Sequence, residues 1–172
     1  RAADVWRTEA LRLGLGELYL VRVEALAHDI EPSSIGFDAA AEFAPDWRYG
    51  GLSVSERFGL PSPPHVVEYR PIVSAMLAKP APSYVRYPCV FPSWDNTPRR
   101  GMNALLHHDP SPKLFGLFLN ETVSKLRERL QGDERILFIN AWNEWGEGCH
   151  LEPDLRHGRE WLRRCRAILG GP

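Results

Sequence analysis

Residues 136–139, Ile136, Leu137, Phe138 and Ile139, offer no polar position. Side chains on a strand alternate between its two faces, so this run predicts a strand covered on both sides. Strands of that kind belong to parallel sheets enclosed between layers. Parallel neighbours need crossover connections, most often helices.

The chain supplies both. Val5, Trp6, Ala10, Leu11 and Leu13 space as one apolar helical face, stopped by Gly14 and Gly16. Residues 17–23 and 37–43 read as strands, the second weakened by its alanines. Residues 44–66 carry Pro45, Pro61, Pro63 and Pro64 and read as a long loop of the functional kind. Helical spacing returns over 67–79, with Pro71 tolerable in a first turn, and 86–92 reads as a third strand. Ser111 and Pro112 make an N-cap and first helical position for a helix to about Leu130. The strand at 135–142 comes next, then a helix over 158–169 with Trp161, Leu162, Cys165, Ile168 and Leu169 on one stripe. Four apolar runs alternating with helical patterns predict an α/β fold of about four parallel βα units in a single domain, residues 1–172.

Bulk properties exclude several classes. A formal net charge of -1 lacks the basic excess of a nucleic-acid binder. The arginines at 156–166 interleave with Trp161, Leu162 and Cys165, as on the solvated face of an amphipathic helix. Cys89, Cys149 and Cys165 are too few and too irregular for a disulfide framework or a zinc site, and an odd count suits a reducing compartment such as the cytoplasm. No run reaches the roughly 18 apolar residues of a membrane span. No metal or cofactor is called for. His107, His108 and Asp109 read as loop, and the neighbours Cys149 and His150 lack the geometry of a nucleophile and its base. Asn120-Glu121-Thr122 matches a glycosylation sequon but falls inside a predicted helix.

The residues at the end of each apolar run are more specific. The first run ends at Glu24 and the second at Glu42; the third leads into Trp94, Asp95 and Asn96; the fourth leads into Trp142, Asn143, Glu144, Trp145 and Glu147. Parallel α/β folds place their sites at the carboxyl ends of strands. Carboxylates and amides suit sugar hydroxyls, and aromatic rings suit sugar C–H faces, so an uncharged carbohydrate fits this mixture better than a phosphate. Glycosidic bond cleavage needs two carboxylates, one to protonate the leaving oxygen and one to act as base or nucleophile. Glu144 and Glu147 point apart on a straight strand but can face one cavity on a tight turn, which Gly146 and Gly148 permit.

Three segments, FINAWNEWGEGCHLEPD (138–154), YPCVFPSWDNTPRRG (87–101) and GFDAAAEFAPDW (36–47), resemble the WbsX family of polysaccharide-biosynthesis proteins, named as glycosyltransferases and related to glycoside hydrolase family 99. The resemblance covers nearly the whole chain. It implies a (β/α)8 barrel of the TIM type acting on α-mannosidic or similar linkages, or assembling bacterial surface polysaccharide such as O-antigen. Glu144 then matches the carboxylate that deprotonates the sugar 2-hydroxyl, giving an anhydro-sugar intermediate, and Glu147 the general acid/base. Trp94, Trp142 and Trp145 would line the sugar site, with Asp95, Asn96, Asn143 and Glu42 binding hydroxyls. A full barrel takes about 250 residues, so the chain corresponds to a C-terminal half, and the resemblance implies either a missing N-terminal half-barrel or two half-barrels that pair. A non-catalytic carbohydrate-binding or scaffold half-barrel is the alternative to an enzyme.

Overall fold

The computed structural model describes residues 2–25, 30–49, 51, 53–59 and 64–170. In chain order the elements are α1 (Ala2–Arg12), β1 (Val21–Glu24), β2 (Ala39–Glu42), β3 (His65–Glu68), α2 (Tyr69–Leu77), β4 (Arg86–Tyr87), β5 (Cys89–Val90), α3 (Thr97–Arg100), β6 (Leu105–His108), α4 (Pro112–Arg129), β7 (Phe138–Ile139), β8 (Asn143–Glu144), β9 (Cys149–His150) and α5 (Glu160–Leu169).

β1 pairs with β2, β2 with β4, and β5 with β7, all in parallel. Only Pro88, which has no amide hydrogen, separates β4 from β5. Carbonyls along a strand point alternately to its two edges. Val85 bonds towards β2, whereas Pro88 and Val90 accept from Phe138 and Asn140 on the β7 side. The run 85–90 therefore lies between β2 and β7, and the four predicted strands stand side by side in their sequence order. The fold is mixed α/β with parallel strands.

The helices are legible in their caps. The Ser111 side chain accepts from the Leu114 amide and Pro112 opens α4; Pro71 falls in the first turn of α2. Ser111→Ala is expected to cost about 1 kcal/mol, read as a lower urea midpoint. The core lies between α2, α4, α5 and the strand ends, with Tyr69, Ile72, Phe91, Phe115, Phe118, Leu119 and Trp161 buried. Gly116 in α4 lets α5 approach: a Cβ there would sit 3.0 Å from the Arg164 side chain. Thr122 of the sequon is buried in α4.

Several expectations are corrected. Residues 65–68 form β3, pairing in parallel with β6, so Val67 belongs to a strand and not to a helix over 67–79. The same pairing puts His107 and His108 on β6 rather than in a loop. Between β1 and β2 the described residues hold one 3-10 turn, Pro32–Ile35, and no α-helix. Of the apolar stripe of α1 only Ala10 is buried, together with Ala3; Val5, Trp6, Leu11 and Leu13 are exposed. The run at 136–139 is covered on one side only. Leu137 and Ile139 pack on the core, while Ile136 and Phe138, on the opposite face, are exposed; among the described strands β7 pairs with β5 alone. β1 is inverted, with Arg22 and Glu24 buried and Val23 58% exposed.

The buried charges are paired. Lys79 bridges Asp46 at 2.6 Å and Glu42 at 3.2 Å, Arg48 bonds Asp46, and Arg86 approaches Glu42 at 3.3 Å. Tyr84 donates to Glu24 at 2.6 Å. Desolvation works against the Asp46 charge, but the Arg48 and Lys79 hydrogen bonds outweigh it and hold the carboxyl well below the usual range. Among the described residues no helix is long and apolar enough to cross a membrane.

Candidate active site

Three strand ends converge. The Asn140 amide after β7 donates to the Ala44 carbonyl after β2 at 2.6 Å. Trp47 meets Trp94, which follows β5, edge to face at 5.1 Å. The Asp95 amide donates to the Glu147 carbonyl at 2.7 Å, and the Ser93 hydroxyl donates to the Gly148 carbonyl.

The two glutamates sit on a hairpin. β8 and β9 pair antiparallel, joined by a 3-10 turn over Trp145–Glu147 with Glu144 as its N-cap and Gly148 closing it at φ 56°. Glu144 thus immediately precedes the turn and Glu147 ends it, with Glu144 exposed and Glu147 half-buried. The Glu144 carboxylate lies 3.4 Å from where a Gly146 Cβ would be, a space that glycine leaves open. Glu147 forms an ion pair with Arg99 on α3. Gly148 is required twice over: its φ is left-handed, and a Cβ there would lie 2.9 Å from the Asp95 Cβ and 3.0 Å from its backbone oxygen. Gly148→Ala is expected to cost about 1–3 kcal/mol and to speed hydrogen exchange of the Asp95 amide.

The other expected residues divide. Trp94 is buried, and with Asn96 and Glu147 it lines a cavity of about 260 Å³ that also takes in Trp47 and Arg99. Asn96 accepts from the Leu105 amide at 2.9 Å, and Asp95 accepts from the Thr97 amide at 2.9 Å. Trp145 stacks on His150 at 3.7 Å and donates to Glu152 at 2.6 Å. It lines, with Trp94 and Asp95, a second cavity of about 1040 Å³. Trp142, Asn143 and Glu144 are exposed and line neither cavity. Glu42 stands apart, held by Lys79, Arg86 and the Cys89 amide.

The sequence expectations did not include Trp47 or Arg99, and they set aside His107 and His150 as a loop residue and a nucleophile's neighbour without the needed geometry. Asp46 and Trp47 follow β2 with the same acid-and-tryptophan mixture that marks residues 94–95, so Trp47 had a signal; Arg99 had none. Burial pushes the Cys149 thiol up to about 12, and it donates to the Asn140 carbonyl at 2.8 Å. No metal-binding cluster occurs among the described residues.

A glycoside hydrolase-like protein of known structure superposes with a TM-score of 0.57 at 15% identity, over 96% of this chain and 48% of its own. Residues 1–165 match the model of the family described as glycosyltransferase WbsX, and the chain belongs to that family. At 15% identity the likeness to the glycoside hydrolase-like structure is one of fold. The uncharacterized protein WxcX of Xanthomonas campestris pv. campestris is 38% identical over 172 residues in each of two strains. That alignment covers 98% of this chain and 24% of the relative, so the chain spans about a quarter of the curated relatives it matches.

Proposed function

We propose that the chain forms the C-terminal half of a (β/α)8 barrel and carries the catalytic carboxylates of an enzyme that cleaves or transfers a glycosidic bond in bacterial surface polysaccharide. The observation that carries this reading is the placement of Glu144 and Glu147 on one turn, where three parallel strand ends meet among tryptophans. Glu144 takes the proton of the sugar 2-hydroxyl as O2 attacks C1, and Glu147 protonates the departing oxygen. Glu147 then takes a proton from the incoming water or sugar hydroxyl, which attacks C1 and opens the anhydro ring; Glu144 returns its proton to O2. The Arg99 side chain is 60% exposed and can swing into solvent as substrate reaches Glu147, whose own side chain is 13% exposed.

Exposure supports the half-barrel. Leu13, Leu15, Tyr19 and Val23 stand open near β1, and Ile136, Phe138 and Trp142 near β7. Two apolar edges at the ends of one parallel sheet are what a complementary half-barrel would cover, from the same polypeptide or a second copy. The test is incubation of the intact protein with mannosidic and related oligosaccharides. Released or transferred sugar that disappears in Glu147→Gln supports the reading; undiminished products in that variant refute it.

A further inference from the structure

Three buried side-chain nitrogens lack a hydrogen-bond partner among the described residues: Trp94 Nε1, His107 Nδ1 and His150 Nδ1. Buried polar atoms without partners are few in folded proteins and call for an explanation. All three residues line the cavity of about 1040 Å³, just above the roughly 300–1,000 Å³ usual for small-molecule sites. Trp94 and His107 are each more than nine-tenths buried.

Their hydrogen-bonding characters differ. The indole Nε1 can only donate. His150 Nε2 lies 3.2 Å from Asp154, which also takes bonds from the His157 amide and Trp161. Desolvation opposes the Asp154 charge, but those bonds hold its carboxyl below the usual range, so it accepts and Nε2 carries the proton. In the neutral ring Nδ1 is then a bare acceptor. Burial lowers His107 to about 3 and keeps it neutral. With His150 in its neutral form, the residues lining the cavity thus hold, buried in its wall, one donor, one acceptor and one nitrogen of either kind. Its charged lining is Asp95, Asp109 and Asp154 against Arg156, an excess of carboxylate that disfavours an anion.

We infer that this cleft is a second saccharide subsite, in which hydroxyls of an uncharged sugar accept from Trp94 Nε1 and donate to His150 Nδ1, with His107 holding a third. A hydroxyl both donates and accepts, so a polyhydroxylated ring satisfies all three nitrogens. The Trp145 ring, stacked on His150, adds an apolar edge to the same cavity. The choice of a sugar rests on the carbohydrate reading of the neighbouring carboxylates, but the subsite does not depend on their chemistry. Trp94 lines both this cleft and the cavity of Glu147, so the two cavities adjoin at that ring.

The test uses the intact protein with ¹⁵N-labelled histidine, titrated with the methyl α-glycosides of mannose, glucose, galactose and rhamnose, and with glucuronate. At least one neutral glycoside is expected to shift the ring-nitrogen signals of His107 and His150, and glucuronate should bind more weakly than the glucoside. His150→Phe keeps a ring over Trp145 but removes the acceptor, and Trp94→Phe removes the donor. Each variant, checked for folding by its melt, should weaken binding on the order of tenfold. No shift with any probe, or equal affinity in both variants, overturns the subsite and leaves the cleft filled by water. Binding without turnover in the wild-type protein would count against the catalytic reading alone. Turnover with unmoved histidine signals would count against the subsite alone.

Discussion

Glu147→Gln is expected to lower turnover by about 10²–10⁴-fold, the usual contribution of a positioned general acid or base. Glutamine matches the carboxylate in shape and keeps an oxygen for Arg99, but it has no proton to give the leaving group. Saccharide affinity should change little, because the side chain lines the cavity mainly as a proton carrier. Glu144→Gln should be equally damaging by another route, since the 2-hydroxyl would keep its proton and O2 could not close on C1. Substrates with good leaving groups separate the two. They should rescue Glu147→Gln, where protonation of the leaving oxygen is the missing step, and not Glu144→Gln. Rates read with an activated aryl glycoside and with the natural linkage give the comparison, and equal rescue of both variants would contradict the assigned roles.

Lys79→Met is expected to cost about 3–5 kcal/mol, the range for breaking a buried ion pair from one side. Methionine fills the volume but leaves Asp46 and Glu42, both nearly inaccessible, without their ammonium. Arg48 and Arg86 still approach these carboxylates, so the loss should fall short of a fully orphaned pair. The double replacement Lys79→Met with Asp46→Leu should recover much of the loss, because the unpaired charge goes with it. The pH dependence has a definite sign. The Asp46 carboxyl is held below its unfolded value, so its contribution is complete above about pH 4. It is lost as pH falls through the lower, folded value. Urea midpoints should therefore fall on acidification in the wild-type protein, and fall less in the double variant.

The order of the parallel strands is legible because each apolar run is short and bounded by polar or turn residues, and the last three are each followed by a helical pattern. The β3–β6 pair is not, because Val66 and Val67 lie between a proline-rich stretch and a helix start and look like part of either. Periodicity identifies the apolar face of α1 without identifying what covers it. Here that face is left open, and so is one side of β7. The convergence of strand ends is legible for Trp94, Asp95 and Glu147, since each directly follows a run that reads as a strand. The Asp46–Lys79 contact is not legible, because no local pattern links an acid after β2 to a lysine after α2. The histidines of the large cleft escape for a similar reason. His107 is an inward-facing strand residue, and His150 acquires its role only through Asp154 and the Trp145 ring.

Trp94 forms a wall common to two cavities, one holding Glu147 and the other His107 and His150. A ligand that moves this ring on entering one chamber reshapes the other, so the two binding equilibria share a coupling free energy. That coupling is reciprocal: the factor by which a sugar in the histidine chamber changes affinity beside Glu147 equals the factor in the opposite direction. A long glycan spanning both chambers would then bind with an affinity different from the product of its parts.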